Sequence, residues 1–190
     1  MLKYLIICCS LLLTPAAMAQ QNAVPNPQVV IKTSEGDITL RLFRDKAPLT
    51  VDNFLAYVDA GFYNGTVFHR VIPDFMIQGG GMLPDMTEKP TDEPVKNESN
   101  NRLHNTRGTV AMARTNDPDS ATAQFFINQR SNLQLDWSPG GDGYTVFGEV
   151  ILGMNIVDFI ATAPTGTVAM FSNVPLQPII INEIVRANAL

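Results

Sequence analysis

From Val29 to Val185 the chain alternates short apolar or β-branched runs with polar turn clusters. Val29 to Thr33 and Asp37 to Phe43 are split by Glu35-Gly36, a break that predicts a hairpin. Runs of strand length follow at Val67 to Ile72, Phe75 to Gln78, Thr109 to Ala113, Gln124 to Asn128, Val146 to Val150 and Pro178 to Val185. In one segment the period lengthens, with Val51, Phe54, Leu55 and Val58 forming a helical stripe. Thr50 is the expected cap of that helix and Gly61 its stop. A second helix fits Asn155 to Ala161. Many short strands with two separated helices predict a mainly β barrel or sandwich, and periodicity alone leaves both open. No internal repeat is visible.

Gly81 to Arg107 breaks the pattern. Prolines at 84, 90 and 94 among many polar residues predict a long surface loop within one domain. It reads equally well as a wall of a binding groove or as a tolerated insertion.

The N-terminus has another logic. A basic start at Lys3, an apolar run from Tyr4 to Leu13 and the small-x-small site Ala17-Met18-Ala19 predict a signal peptide over residues 1–19. The run is about half the ~20 residues of a membrane span, and neither Cys8 nor Cys9 follows the small residue that lipoprotein processing requires. The mature chain is therefore expected to begin at Gln20 in the periplasm, with no membrane attachment. A polar, flexible lead over 20–28 would precede one domain over 29–190.

Both cysteines of the sequence fall in the leader, so the exported domain would fold without disulfides and needs a substantial core. A formal net charge of -5 without a basic stripe argues against a nucleic-acid partner. The two histidines, His69 and His104, have no metal-ligand spacing, no GxSxG elbow occurs, and the Gly79 to Gly81 run lacks the Lys-Ser/Thr of a phosphate loop. No metal and no cofactor are expected.

The candidate chemistry lies in FHRVIPDFMIQGG (Phe68 to Gly80), TVAMAR (Thr109 to Arg114) and QFFIN (Gln124 to Asn128). They place one permanent cation, Arg70, and one amide, Gln78, among large apolar residues, although an ordinary core excludes an unpaired guanidinium. These segments resemble the active-site motifs of the cyclophilins, the peptidyl-prolyl cis/trans isomerases. The likeness runs from Val29 to Val185. KNESNNRLHNTRGTVAMART and DSATAQFFIN are most similar to periplasmic cyclophilins of Gram-negative bacteria.

The resemblance implies a closed eight-stranded antiparallel β-barrel capped by two α-helices, acting as a monomer on proline-containing unfolded or folding polypeptides. It implies that Arg70 is the catalytic guanidinium, with Gln78 holding it and touching substrate. Phe75, Met76, Phe126 and Leu135 would form the proline pocket. Backbone groups of Ala113 and Arg114 would pair with the substrate, with Gln124 on the same wall. His69 is expected to pack or hydrogen-bond inside. Two positions depart from the family pattern: Gln134 stands where many eukaryotic members have tryptophan, and Tyr144 where histidine is usual. Trp137 lies three residues late, so weak cyclosporin binding is expected. A second reading, of a chaperone gripping proline segments with incidental catalysis, would need the apolar pocket but not the cation.

Overall fold

The computed structural model describes residues 26–187. The predicted signal peptide and residues 20–25 of the lead lie outside the described residues. Gln28, assigned to the lead by its polarity, already belongs to the first strand, where it pairs with Arg41 at the open end of the hairpin.

In chain order the elements are β1 (Gln28–Thr33), β2 (Gly36–Leu42), α1 (Pro48–Asp59), β3 (Thr66–Ile72), β4 (Met76–Gly79), β5 (Thr109–Met112) and β6 (Phe125–Asn128). After these come β7 (Val146–Leu152), α2 (Met154–Ala161), β8 (Thr165–Val168), β9 (Phe171–Pro175) and β10 (Ile180–Arg186). Eight strands close into an antiparallel barrel in the order β1-β10-β3-β4-β6-β5-β7-β2. This resolves the choice left by periodicity in favour of the barrel, which leaves no unpaired edge.

The β8-β9 hairpin was not predicted. It forms a separate two-stranded sheet, and its apolar residues follow no strict alternation because much of it faces solvent.

The barrel interior is filled by Val29, Ile31, Ile38, Leu40, Val110 and Ile127, all fully buried. The helices cover its two ends. On α1, Phe54 packs against Tyr63, Phe125 and Phe147 at centroid distances of 5.2, 5.6 and 5.1 Å. On α2, Ile156 lies against Gly36 at the opposite end of β2.

Thr50 does not cap α1. The helix starts earlier, at Pro48, whose missing N–H costs nothing in the first turn, and Thr50 is wholly buried. The cap comes from Glu98, 48 residues away in sequence from Thr50. Its carboxylate accepts Leu49 N (3.2 Å), Thr50 N (2.9 Å) and Thr50 Oγ1 (2.7 Å). A negative group there also complements the positive end of the helix dipole. Gly61 ends the helix as expected, in the left-handed conformation at φ 65°.

Glu98 belongs to the long 81–107 segment, which is tied down along its length. Lys89 donates to Phe62 O, Asp92 N donates to the Tyr57 hydroxyl, and Val95 pairs with Ala121. These bonds make it a strap across the α1 end of the barrel.

Candidate active site

Side chains along a strand alternate between faces, and β4 to β7 send one set inward and the other out. Ile77, Phe125, Ile127 and Phe147 join the interior. Met76, Ala111, Phe126 and Val146 form a second apolar cluster, packed against Phe75, Ala113, Leu135 and Tyr144. Strand register aligns this outer face. Gln78 opposes Phe126, Phe126 opposes Ala111, and Ala111 opposes Val146.

Arg70 joins the row through an irregularity. Phe68 pairs with Gly79 and Arg70 with Gln78, so one extra residue, His69, is accommodated in β3. Strict alternation would send Arg70 to the same side as buried Phe68. The bulge turns it outward, beside the apolar cluster. Phe75 arrives differently, from the tight turn between β3 and β4, where Asp74 adopts φ 56° and Phe75 N donates to Ile72 O. The predicted strand at Phe75 accordingly begins one residue later, at Met76.

A polar relay borders the apolar surface. Arg70 Nη1 donates to Gln78 Oε1 (3.3 Å), Gln78 Nε2 to Gln124 Oε1 (3.0 Å), and Gln124 Nε2 to Glu88 Oε1 (3.1 Å). An ionised carboxylate only accepts, so Glu88 orients both amides and leaves an oxygen facing Arg70. Glu88 was missed by sequence reading, since nothing local marks one acid in a polar loop. Among the described residues no ion pair involves Arg70, which lines the adjacent cavity.

The cavity has a volume of about 200 Å³. Arg70, Gln78, Phe75, Met76, Phe126 and Leu135 all line it, and Ala113, Arg114 and Tyr144 complete the wall. Gln124 lies beyond the ridge of Gln78, Ala113 and Arg114, in an adjoining cavity of about 190 Å³ that also reaches Glu88. Ala113 N–H is already donated to Gln124 O (2.9 Å), so its carbonyl is the backbone group it can offer a peptide.

Gln134 faces solvent and is not part of the cavity wall, because the 3-10 turn Leu133–Leu135 directs Leu135 inward instead. Trp137 is also outside it, 45% exposed. The wall at this end is Tyr144, set edge-on to Phe126 at 5.7 Å, with the Arg114 guanidinium 4.6 Å above its ring. Arg114 also donates to the carbonyls of Thr115, Asp142 and Gly143, clamping the Tyr144 loop.

His69 is buried, as expected, and its Nδ1 has no hydrogen-bond partner among the described residues. Burial, reinforced by the Arg70 charge, pushes its pKa down to about 4 against hydrogen bonds that favour protonation. It is neutral at physiological pH. Among the described residues no three His, Cys, Asp or Glu side chains gather as a metal site would require. The arrangement holds no nucleophile beside a base. It can bind a small apolar ring and set a cationic donor against polar atoms attached to it.

Comparison with known proteins agrees with this geometry. The family profile described as cyclophilin type peptidyl-prolyl cis-trans isomerase/CLD matches residues 28–186. A peptidyl-prolyl cis-trans isomerase of Acinetobacter baylyi is 56% identical over 158 residues, covering 83% of this chain and 84% of that protein. Peptidyl-prolyl cis-trans isomerase B of Escherichia coli is 55% identical over 159 residues, covering 82% and 97%. A crystal structure of a Cryptosporidium parvum cyclophilin type peptidyl-prolyl cis-trans isomerase, determined in the presence of the dipeptide Ala-Pro, superposes with a TM-score of 0.74 at 32% identity. That likeness covers 85% of this chain and 99% of the other. With the barrel, the cavity and these relatives in agreement, the chain belongs to the cyclophilin family of peptidyl-prolyl cis/trans isomerases.

Proposed function

We propose that this isomerase turns over X-Pro bonds in exported polypeptides without covalent chemistry, by holding the twisted amide beside Arg70. A peptide bond resists rotation by ~18–20 kcal/mol because the nitrogen lone pair is delocalised into the carbonyl. Rotation localises that pair, so the prolyl nitrogen becomes basic midway. A site that binds this state better than either planar isomer accelerates exchange. The prolyl ring would rest on Phe75, Met76, Phe126 and Leu135, fixing one side of the bond. Arg70 would donate to the nitrogen or steady the prolyl carbonyl, with Gln78 keeping the fork in place. Surrounding apolar walls strengthen that interaction by excluding water.

The observation that carries this reading is the Arg70 guanidinium, held by a neutral amide at the rim of an apolar cavity. A chaperone that merely gripped proline segments would use the cavity alone. The Cryptosporidium structure was determined in the presence of Ala-Pro, and the same ligand class suits this chain. NMR exchange spectroscopy on a short Ala-Pro peptide is the direct test: enzyme-catalysed exchange lost in Arg70→Ala supports the mechanism. Undiminished exchange in that variant would return the binding reading.

Export rests on the leader pattern. N-terminal sequencing of the secreted form should find Gln20 first, and an intact Met1 on a cytoplasmic protein would overturn it.

A further inference from the structure

Behind the cavity lies a row of buried polar side chains with no assigned part in the reaction. Asn105 and Asn128 are fully buried and Asn132 is 2% exposed. Their amides are joined head to tail. Asn132 Nδ2 donates to Asn128 Oδ1 (2.8 Å), Asn128 Nδ2 to Asn105 Oδ1 (3.2 Å), and Asn105 Nδ2 to Asp136 Oδ1 (3.0 Å). The second N–H of Asn132 reaches the carbonyl oxygen of Phe75 at 2.9 Å. The row therefore runs from one pocket residue to the segment that carries another: Asp136 directly follows Leu135.

Stability alone does not call for this arrangement. Burying amides is costly when any donor or acceptor is left over, and an apolar filling of equal shape is commonly as stable. A fully bonded network instead holds its members in one arrangement. Direction matters here. The Asp136 carboxylate can only accept, and it takes both Asn105 N (2.7 Å) and Asn105 Nδ2, so each amide upstream must present its oxygen toward the next donor. That order leaves an N–H of Asn132 directed at Phe75. His104 Nδ1 meets the other carboxylate oxygen at 2.7 Å. The row also sits at the site, since Asn128 opposes Met76 across the β4-β6 pair.

We propose that Asp136, Asn105, Asn128 and Asn132 are positioning residues of the proline pocket, an amide ladder that sets the separation of Phe75 and Leu135. This rests on the isomerase reading. Line-shape NMR on one Ala-Pro peptide reports affinity and exchange rate separately, and urea unfolding reports stability. Asn132→Ala should raise Kd about threefold to tenfold, with the exchange rate of bound peptide changed less than about twofold. Ile127→Val, on the inward face of β6 opposite to the pocket face, should lower stability and leave Kd at the parental value. Asp136→Asn, on a side chain 13% exposed, should raise Kd about twofold to fivefold by freeing the direction of the amides. An Asn132→Ala protein that loses stability but binds as the parent does would overturn the proposal. Should that variant not fold, parental affinity in Asp136→Asn overturns it. A parent that binds without catalysing exchange would fail the isomerase reading, while the affinities still test the ladder.

Discussion

Arg70 and Gln78 face one another across β3 and β4 because His69 interrupts the alternation of β3. The cation is thus aimed by backbone register, and the amide opposite restrains it without neutralising its charge. A carboxylate at position 78 would pair with the guanidinium and compete with the substrate for it.

Replacing Arg70 by alanine should leave the barrel folded and remove the donor that matters most at the twisted amide. Such preorganised donors are worth ~2.7–4 kcal/mol, so kcat/KM should fall roughly a hundredfold to a thousandfold while peptide affinity changes much less. Phe126→Ala should weaken affinity as well, because it enlarges the pocket. Line-shape NMR separates the two effects.

Glu88 orients the relay from an exposed position, so its effect should be small and specific. In Glu88→Ala the Gln124 amide is free to turn, and kcat/KM should drop about twofold to fivefold with unfolding unchanged. A loss as large as that of Arg70→Ala would mean that Glu88 acts on the substrate directly.

Cyclosporin should inhibit weakly. Gln134 faces solvent and Trp137 lies outside the cavity, so no indole offers the drug a flat wall and a donor. Losing one hydrogen bond and a large ring contact costs ~2–4 kcal/mol, or about thirtyfold to a thousandfold in affinity. Gln134→Trp should recover part of it, and nanomolar inhibition of the parent would contradict the assignment.

His69 makes stability depend on pH. Its pKa falls from 6.5 to about 4 on folding, so the unfolded chain binds the proton more readily. The contribution is complete above pH 6.5 and disappears as pH falls to about 4, amounting to at most about 3 kcal/mol. Urea midpoints measured across that window should decline toward acid, and His69→Gln should flatten the decline.

The Glu98 carboxylate closes three hydrogen bonds at the start of α1. Glu98→Ala should therefore cost about 1–2 kcal/mol of unfolding free energy, the upper range for a lost cap, without changing the bound-state exchange rate. An unaffected urea midpoint would show that water replaces the carboxylate without loss.

Most of the barrel could be read from short apolar or alternating runs, because its strands bury one face or, as in β6, both. The proposed pocket was legible too, since Phe75, Met76, Phe126 and Leu135 lie within or near long distinctive motifs. What escaped depends on partners distant in sequence. Glu98 and Glu88 act across 48 and 36 residues, and an isolated acid in a polar loop carries no local mark of its partner. The amide ladder escaped because asparagine reads as turn or surface until its burial is known. The bulge at His69 is invisible because Thr66 to His69 are all buried, so no in-and-out alternation marks the extra residue.

Closure of the barrel joins the two ends of the domain, with Val29 facing Arg186. The last seam cannot form until synthesis has delivered β10, so a nascent chain lacks a closed barrel until Arg186 has emerged. Contacts of such sequence separation also slow the search for the native state. A peptidyl-prolyl isomerase of this fold therefore closes its own barrel with the last strand to be made.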